Sequence, residues 1–209
     1  EAVSEGTFSS TVNTTKLSFK TGASEAAAEK MSLTSAGDLI LASTGGTFQT
    51  ATSGTSNFRA GVNAGNSIAS GGNYNVVIGD EAGTALTTGD GNVAIGYEAL
   101  KTEDAHGQNV AIGYQALRVL DAGAIGYNTA VGWNAGLSMT TGQVNTVIGH
   151  IAGDAITTGS DNTAVGYGAL SSEDAHGKNV AIGSGALQTQ DAGADAYNTA
   201  VGYVAGNDI

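Results

Sequence analysis

The sequence predicts an all-β chain of stacked short repeats. The expected form is a repetitive β-solenoid, or a triple-stranded β-helix-like trimeric fibre, with rungs of 17–19 residues grouped in 70-residue blocks. Three observations carry this. The first is a five-residue motif with eight copies: Asn75–Gly79 (NVVIG), Asn92–Gly96 and Asn109–Gly113 (NVAIG), Asn128–Gly132 (NTAVG), Asn145–Gly149 (NTVIG), Asn162–Gly166 (NTAVG), Asn179–Gly183 (NVAIG) and Asn198–Gly202 (NTAVG). The second is their spacing, which runs 17, 17, 19, 17, 17, 17 and 19 residues from Asn75. The third is composition: 33 glycines, with no proline and no cysteine, in 209 residues. Glycine does not fall at every third position, so a collagen helix is excluded. No segment has the length and 3.6-residue periodicity of an amphipathic helix.

Residues 1–56 carry no copy of the motif and read as a β-rich connector or shaft segment. Gly6 to Lys20 (GTFSSTVNTTKLSFK) has the threonine-rich alternation of strands. Ala26 to Ala28 would make at most one helical turn, too short to stand alone. Glu29 to Ser43 predicts a hairpin: Met31 and Leu33 alternate with polar residues, Ala36-Gly37-Asp38 has turn chemistry, and Leu39 to Leu41 follow. Residues 44–56 are small and polar and read as a connector.

Residues 57–209 form the repeat domain, opening on a weaker ninth copy, Asn57–Gly61. The block 75–144 is duplicated at 145–209, with 40 identities between 75–139 and 145–209. The connectors match too. Glu103-Asp104-Ala105-His106-Gly107 returns as Glu173 to Gly177, and Asp121 to Ala124 returns as Asp191 to Ala194. Each copy supplies one strand of a coil. At ~4.8 Å per rung, eight rungs span roughly 38 Å.

Strand parity assigns the faces. The second and fourth motif residues are β-branched, the third is Ala or Val, and the fifth is Gly. One face is therefore broad and aliphatic, the other nearly flat. The expectation is that each coil covers the aliphatic face. The flat Ala/Gly face would then meet other copies of the chain, around a threefold axis or across a twofold one. The asparagines read as a ladder of side-chain amides joining rungs, and the glycines as tight corners or points of close backbone approach.

The residue after the motif glycine is aromatic in five copies: Tyr97, Tyr114, Trp133, Tyr167 and Tyr203. Stacked rings can bind sugars by their apolar faces, so this column is the candidate glycan contact. Parity places it on the aliphatic side, where, if the pleat survives the glycine, the rings would be buried between coils or chains. Tyr74, Tyr127 and Tyr197, each just before a motif asparagine, have the same two readings. His150 takes the aromatic place in its copy and reads as a packing residue.

No catalytic residue, metal site or cofactor is predicted. Without cysteine there are no disulfides and no thiolate ligands. His106 and His176 occupy equivalent connectors and read as solvated corners, although three copies of one histidine on a trimer axis would suit a divalent ion. Glu103/Asp104 and Glu173/Asp174 are adjacent acids, not a pair across a cleft as glycoside hydrolysis requires. The net charge of −12 argues against nucleic acid and anionic lipid as partners. No stretch approaches 18 consecutive apolar residues, so membrane insertion is not expected.

The series Asn92–Leu100 (NVAIGYEAL) and Asn162–Leu170 (NTAVGYGAL) resembles repeats of bacteriophage tail fibres and related virion adhesins. The segment Ala28 to Asp38 (AEKMSLTSAGD) is similar to one that commonly precedes such repeats. The heads of trimeric autotransporter adhesins carry similar repeats, usually of shorter period and with coiled-coil stalks. The resemblance implies a homotrimeric, elongated structural protein of the virion. Its partners would be other tail proteins and a glycan or protein receptor on the host surface. The alternatives are a bacterial trimeric surface adhesin, a passive extracellular filament and a polysaccharide-degrading tailspike.

Overall fold

A computed structural model of the chain describes residues 53–190, 193–195 and 197–207, together with the backbone of four upstream strands. The chain divides into two compact units, 1–49 and 50–209. The first holds β1 (Val3–Ser4), β2 (Leu17–Thr21), β3 (Ala28–Leu33) and β4 (Leu39–Leu41), in an antiparallel sheet of that order. β3 and β4 pair with Met31 opposite Leu41, the hairpin that the alternation of 29–43 predicts. Ala28 opens β3; the rest of the alanine run, residues 6–16, the turn residues Ala36-Gly37-Asp38 and residues 44–52 lie outside the described residues.

The second unit is a β-solenoid. Nine parallel three-residue strands stack in sequence order: β5 (Phe58–Ala60), β6 (Val76–Ile78), β7 (Val93–Ile95), β8 (Val110–Ile112), β9 (Thr129–Val131), β10 (Thr146–Ile148), β11 (Thr163–Val165), β12 (Val180–Ile182) and β13 (Thr199–Val201). Equivalent motif positions meet at every rung: Val93 pairs with Val110, Ala94 with Ala111 and Ile95 with Ile112, and even Arg59 of the first strand lies opposite Val77. The weak copy at Asn57 supplies β5. The described residues contain no α-helix.

The interior of the coil corrects one expectation. The third-position column (Val77, Ala94, Ala111, Ala130, Val147, Ala164, Ala181) is fully buried within the single chain. It packs against alanines three residues beyond each glycine, such as Ala99 and Ala116, and against Leu86, Leu100, Leu117, Leu120, Met139, Ile156, Leu170 and Leu187. The flat face is thus filled by the chain's own far wall. The β-branched second and fourth residues lie outside and keep part of their surface exposed; Ile148 is 37% and Ile182 40% exposed. The physical reason is width. With the connector leucines inside, a coil of 17 residues leaves room on the strand side for one small row, Ala or Val from β6 to β13, with Arg59 in that place only at the first rung.

Each coil turns at its motif glycine, where φ lies between +126° and +141°. From Gly79 to Gly183 an added Cβ would come within 2.2–2.6 Å of the carbonyl oxygen of the glycine one rung on. The glycine column is therefore a close approach between successive coils of one chain. The second residue after it is left-handed whatever its type, from Glu98 (φ 53) and Asn134 (φ 54) to Ile151 (φ 51) and Gly168 (φ 61). Its N–H donates to the previous rung, as Gln115 N does to Tyr97 O at 2.8 Å and Ile151 N to Trp133 O at 2.9 Å.

The asparagine column joins the coils on the other side of each strand. The Oδ1 of every motif asparagine from Asn57 to Asn179 accepts the backbone N–H of the next one, at 2.8–3.1 Å. The Nδ2 groups of Asn75, Asn128 and Asn145 donate to Gly89, Gly142 and Gly159 carbonyls at 2.8 Å. These links run from side chain to backbone. The Oδ1 links satisfy a buried N–H at each strand's start and the Nδ2 links a connector carbonyl, while Asn128 and Asn145 also donate Nδ2 to the amide one rung back, at 3.3 and 3.2 Å.

Candidate functional site

The outer wall of the solenoid carries the candidate site. Its strand face consists of the second and fourth motif residues, the two ends of each strand from β6 to β13, all Val, Ile or Thr, with no charged side chain among them. Two residues beyond the fourth position comes the aromatic column. Tyr97 stacks on Tyr114 with ring centroids 5.2 Å apart, and Tyr114 on Trp133 at 5.9 Å. His150 continues the stack, 4.7 Å from Trp133 and 5.3 Å from Tyr167. Interplanar angles are 11–20°.

These rings are not buried, as intact pleating would have required. Tyr97 and Tyr114 are 43% exposed, Trp133 46% and Tyr167 56%. The left-handed glycine before each ring breaks the pleat and swings the ring outward. The stack also limits what the column offers. Tyr114, Trp133 and His150 have neighbouring rings on both faces, so only Tyr97 and Tyr167, at the ends, keep a face that no ring covers. Tyr203 is 83% exposed and separated from the stack by Ser184, which takes the aromatic place one rung earlier. Tyr74, Tyr127 and Tyr197 stand apart from the stack as left-handed, exposed corners. His150 joins the stack because it occupies the aromatic register position; counting positions from the glycine, not residue types, finds it.

Two polar clusters lie on the connectors. Glu98 is nearly buried and accepts from Lys101 Nζ and Arg118 Nε, each at 2.7 Å, and from Gln115 Nε2 at 2.8 Å. Chiefly through the Lys101 hydrogen bond, with Gln115 and Arg118 adding to it against the opposing effect of burial, its carboxyl is held down at about 2. The cluster bridges two successive coils, one holding Glu98 and Lys101 and the next Gln115 and Arg118.

The second cluster is the duplicated Glu-Asp-Ala-His-Gly corner. Glu103, fully buried, accepts from the backbone N–H of His106 at 3.1 Å and of Ala122 at 3.2 Å. Burial pushes its carboxyl up, against the pull of those donors. His106 Nδ1 sits 3.3 Å from Glu103, and His176 Nδ1 3.2 Å from Glu173. Glu173 accepts from His176 N and from Gln190 Nε2. Candidate ligand atoms of Glu103, Asp104, His106 and Asp121 lie within 4.8 Å of one another, as do those of Glu173, Asp174 and His176. The chain's own needs account for the buried members: the carboxylate caps backbone donors, and a Cβ on Gly107 would lie 2.0 Å from Asp90 O.

No helix among the described residues is long and apolar enough to cross a membrane. Comparison with protein-family models, curated proteins and solved structures finds no match for this chain.

Proposed function

We propose that this chain is a structural, non-enzymatic segment of a homotrimeric attachment fibre, of the kind carried on a phage tail, that helps to fix a particle to its host's surface. The observation that carries the reading is the uninterrupted, in-register stack of nine parallel strands, which makes a stiff shaft from a chain with no cross-links. Every coil adds an exposed connector at a fixed spacing, and connectors vary without disturbing the core. Several copies of a weak contact, repeated along a rod and again in each chain, give firm adhesion. The resemblance of NVAIGYEAL and NTAVGYGAL to fibre repeats points the same way.

The test is binding of the purified chain to a panel of bacterial envelope polysaccharides and whole envelopes. Retention, with the glycan chains unshortened, is the expected result. Retention with a rise in reducing ends would replace the reading with a polysaccharide-degrading spike. Failure to bind any envelope would leave a passive filament.

A further inference from the structure

We infer that the outer strand face, with the edges of the stacked rings beside it, is where a second copy of this chain docks. The inference rests on the fibre reading and names the surface that builds it. It differs from the arrangement expected from parity, because the Ala/Gly face is sealed inside the coil.

Three observations select the occupant. The first is charge. The chain carries 19 acidic and 7 basic residues, so two copies repel one another over most approaches. The strand face is free of carboxylates along its second- and fourth-position columns, and two copies can close on it without opposing like charges. The second is period. The half-buried Val, Ile and Thr form ridges repeating at the rung spacing of ~4.8 Å, and the partner that meshes with such ridges along their whole length is one with the same spacing. The third is area. Seven rung intervals by the width of a strand and a ring column give on the order of 500 Å² of largely apolar wall, well over half of the ~800 Å² that each partner contributes to a stable complex. A glycan fits less well, since the three inner rings have both faces covered by their neighbours. An anionic lipid surface finds no basic residue on this face.

The experiment uses the full chain and two variants: Ile148→Lys on the outer face, and Thr141→Lys on an exposed connector as the charge-matched control. Native mass is read by light scattering, with circular dichroism to establish that each variant folds. The expected result is a multimer for the parent and for Thr141→Lys, and at least a tenfold weaker association for Ile148→Lys. The chain has no cysteine, so Ile95→Cys and Ile182→Cys each introduce a unique thiol on this face. A short bismaleimide should join two chains through either one. A multimer that survives Ile148→Lys and resists both cross-links would overturn this face while leaving the fibre reading intact. A parent that is a monomer at all concentrations overturns the docking inference outright. Envelope binding by that monomer would then show that attachment does not need it.

Discussion

At the residue scale, the stack depends on side chains that mend the backbone. Asn145 is fully buried; its Oδ1 receives the N–H of Asn162, and its Nδ2 reaches Gly159 O. Asn145→Ala strands a buried donor and a buried acceptor, and should lower unfolding stability by about 2–3 kcal/mol. Denaturant titration reads this, and Asn145→Asp, which sets a buried carboxylate oxygen against Gly159 O and Asn128 Oδ1, should recover none of the loss at neutral pH. A converse case is Ile151, a β-branched residue held at φ 51° where the equivalent rungs have Gly168 and Gly185. Ile151→Gly relieves that strain, and should raise the melting temperature by the equivalent of about 1 kcal/mol. An unchanged or lowered midpoint would mean that packing of the isoleucine outweighs its backbone.

At the scale of the element, the unit is a coil and what matters is its width. Ala130 faces Ala111 and Val147 on adjacent strands and is wholly enclosed. Ala130→Leu therefore overpacks the chain's own interior and should cost about 2–3 kcal/mol of folding stability, visible in dilute monomer as well as in any assembly. A variant that folds normally but fails to associate would restore the flat face as a contact between chains. Coils are also tied by charge. The carboxyl of Glu98 sits near 2 in the folded chain, below its ordinary 4.5. A lowered carboxyl contributes stability above its ordinary value and loses it as pH falls toward the folded one. The stability difference between parent and Glu98→Gln should be largest at neutral pH, roughly 1–2 kcal/mol, and should vanish between pH 4.5 and 2. Glu103 works in the opposite sense: its carboxyl is raised, so protonation relieves a burial cost, and Glu103→Gln isolates that part.

At the scale of the whole molecule, acidity and the uncharged wall oppose each other. A net charge of −12 resists the approach of copies, and salt screens it. Association of the parent chain should tighten several-fold between ~10 mM and ~150 mM salt, over which the Debye length falls from ~30 Å to ~8 Å. Sedimentation at the two ionic strengths measures it. Weakening with added salt would point instead to an interface built on ion pairs. The parallel stack also places each coil's contacts with its immediate neighbours, so stability accumulates rung by rung.

The winding of every rung within one chain was decided only by the tertiary structure, whereas the motif spacing by itself determined the rung length, the strand in each copy and the asparagine and glycine columns. Those features follow from local repetition, which a single chain displays openly. Which face is the inside was decided only by the closed coil, because parity separates two faces without ranking them. The ranking came from volume. Leu86, Leu100, Met139 and Ile156 fall in connectors with no strand pattern, yet they fill the interior and leave room opposite for nothing larger than alanine or valine. The outward aromatic column was hidden for a related reason. Alternation holds only while the backbone is extended, and a glycine near +130° ends it one residue before every ring.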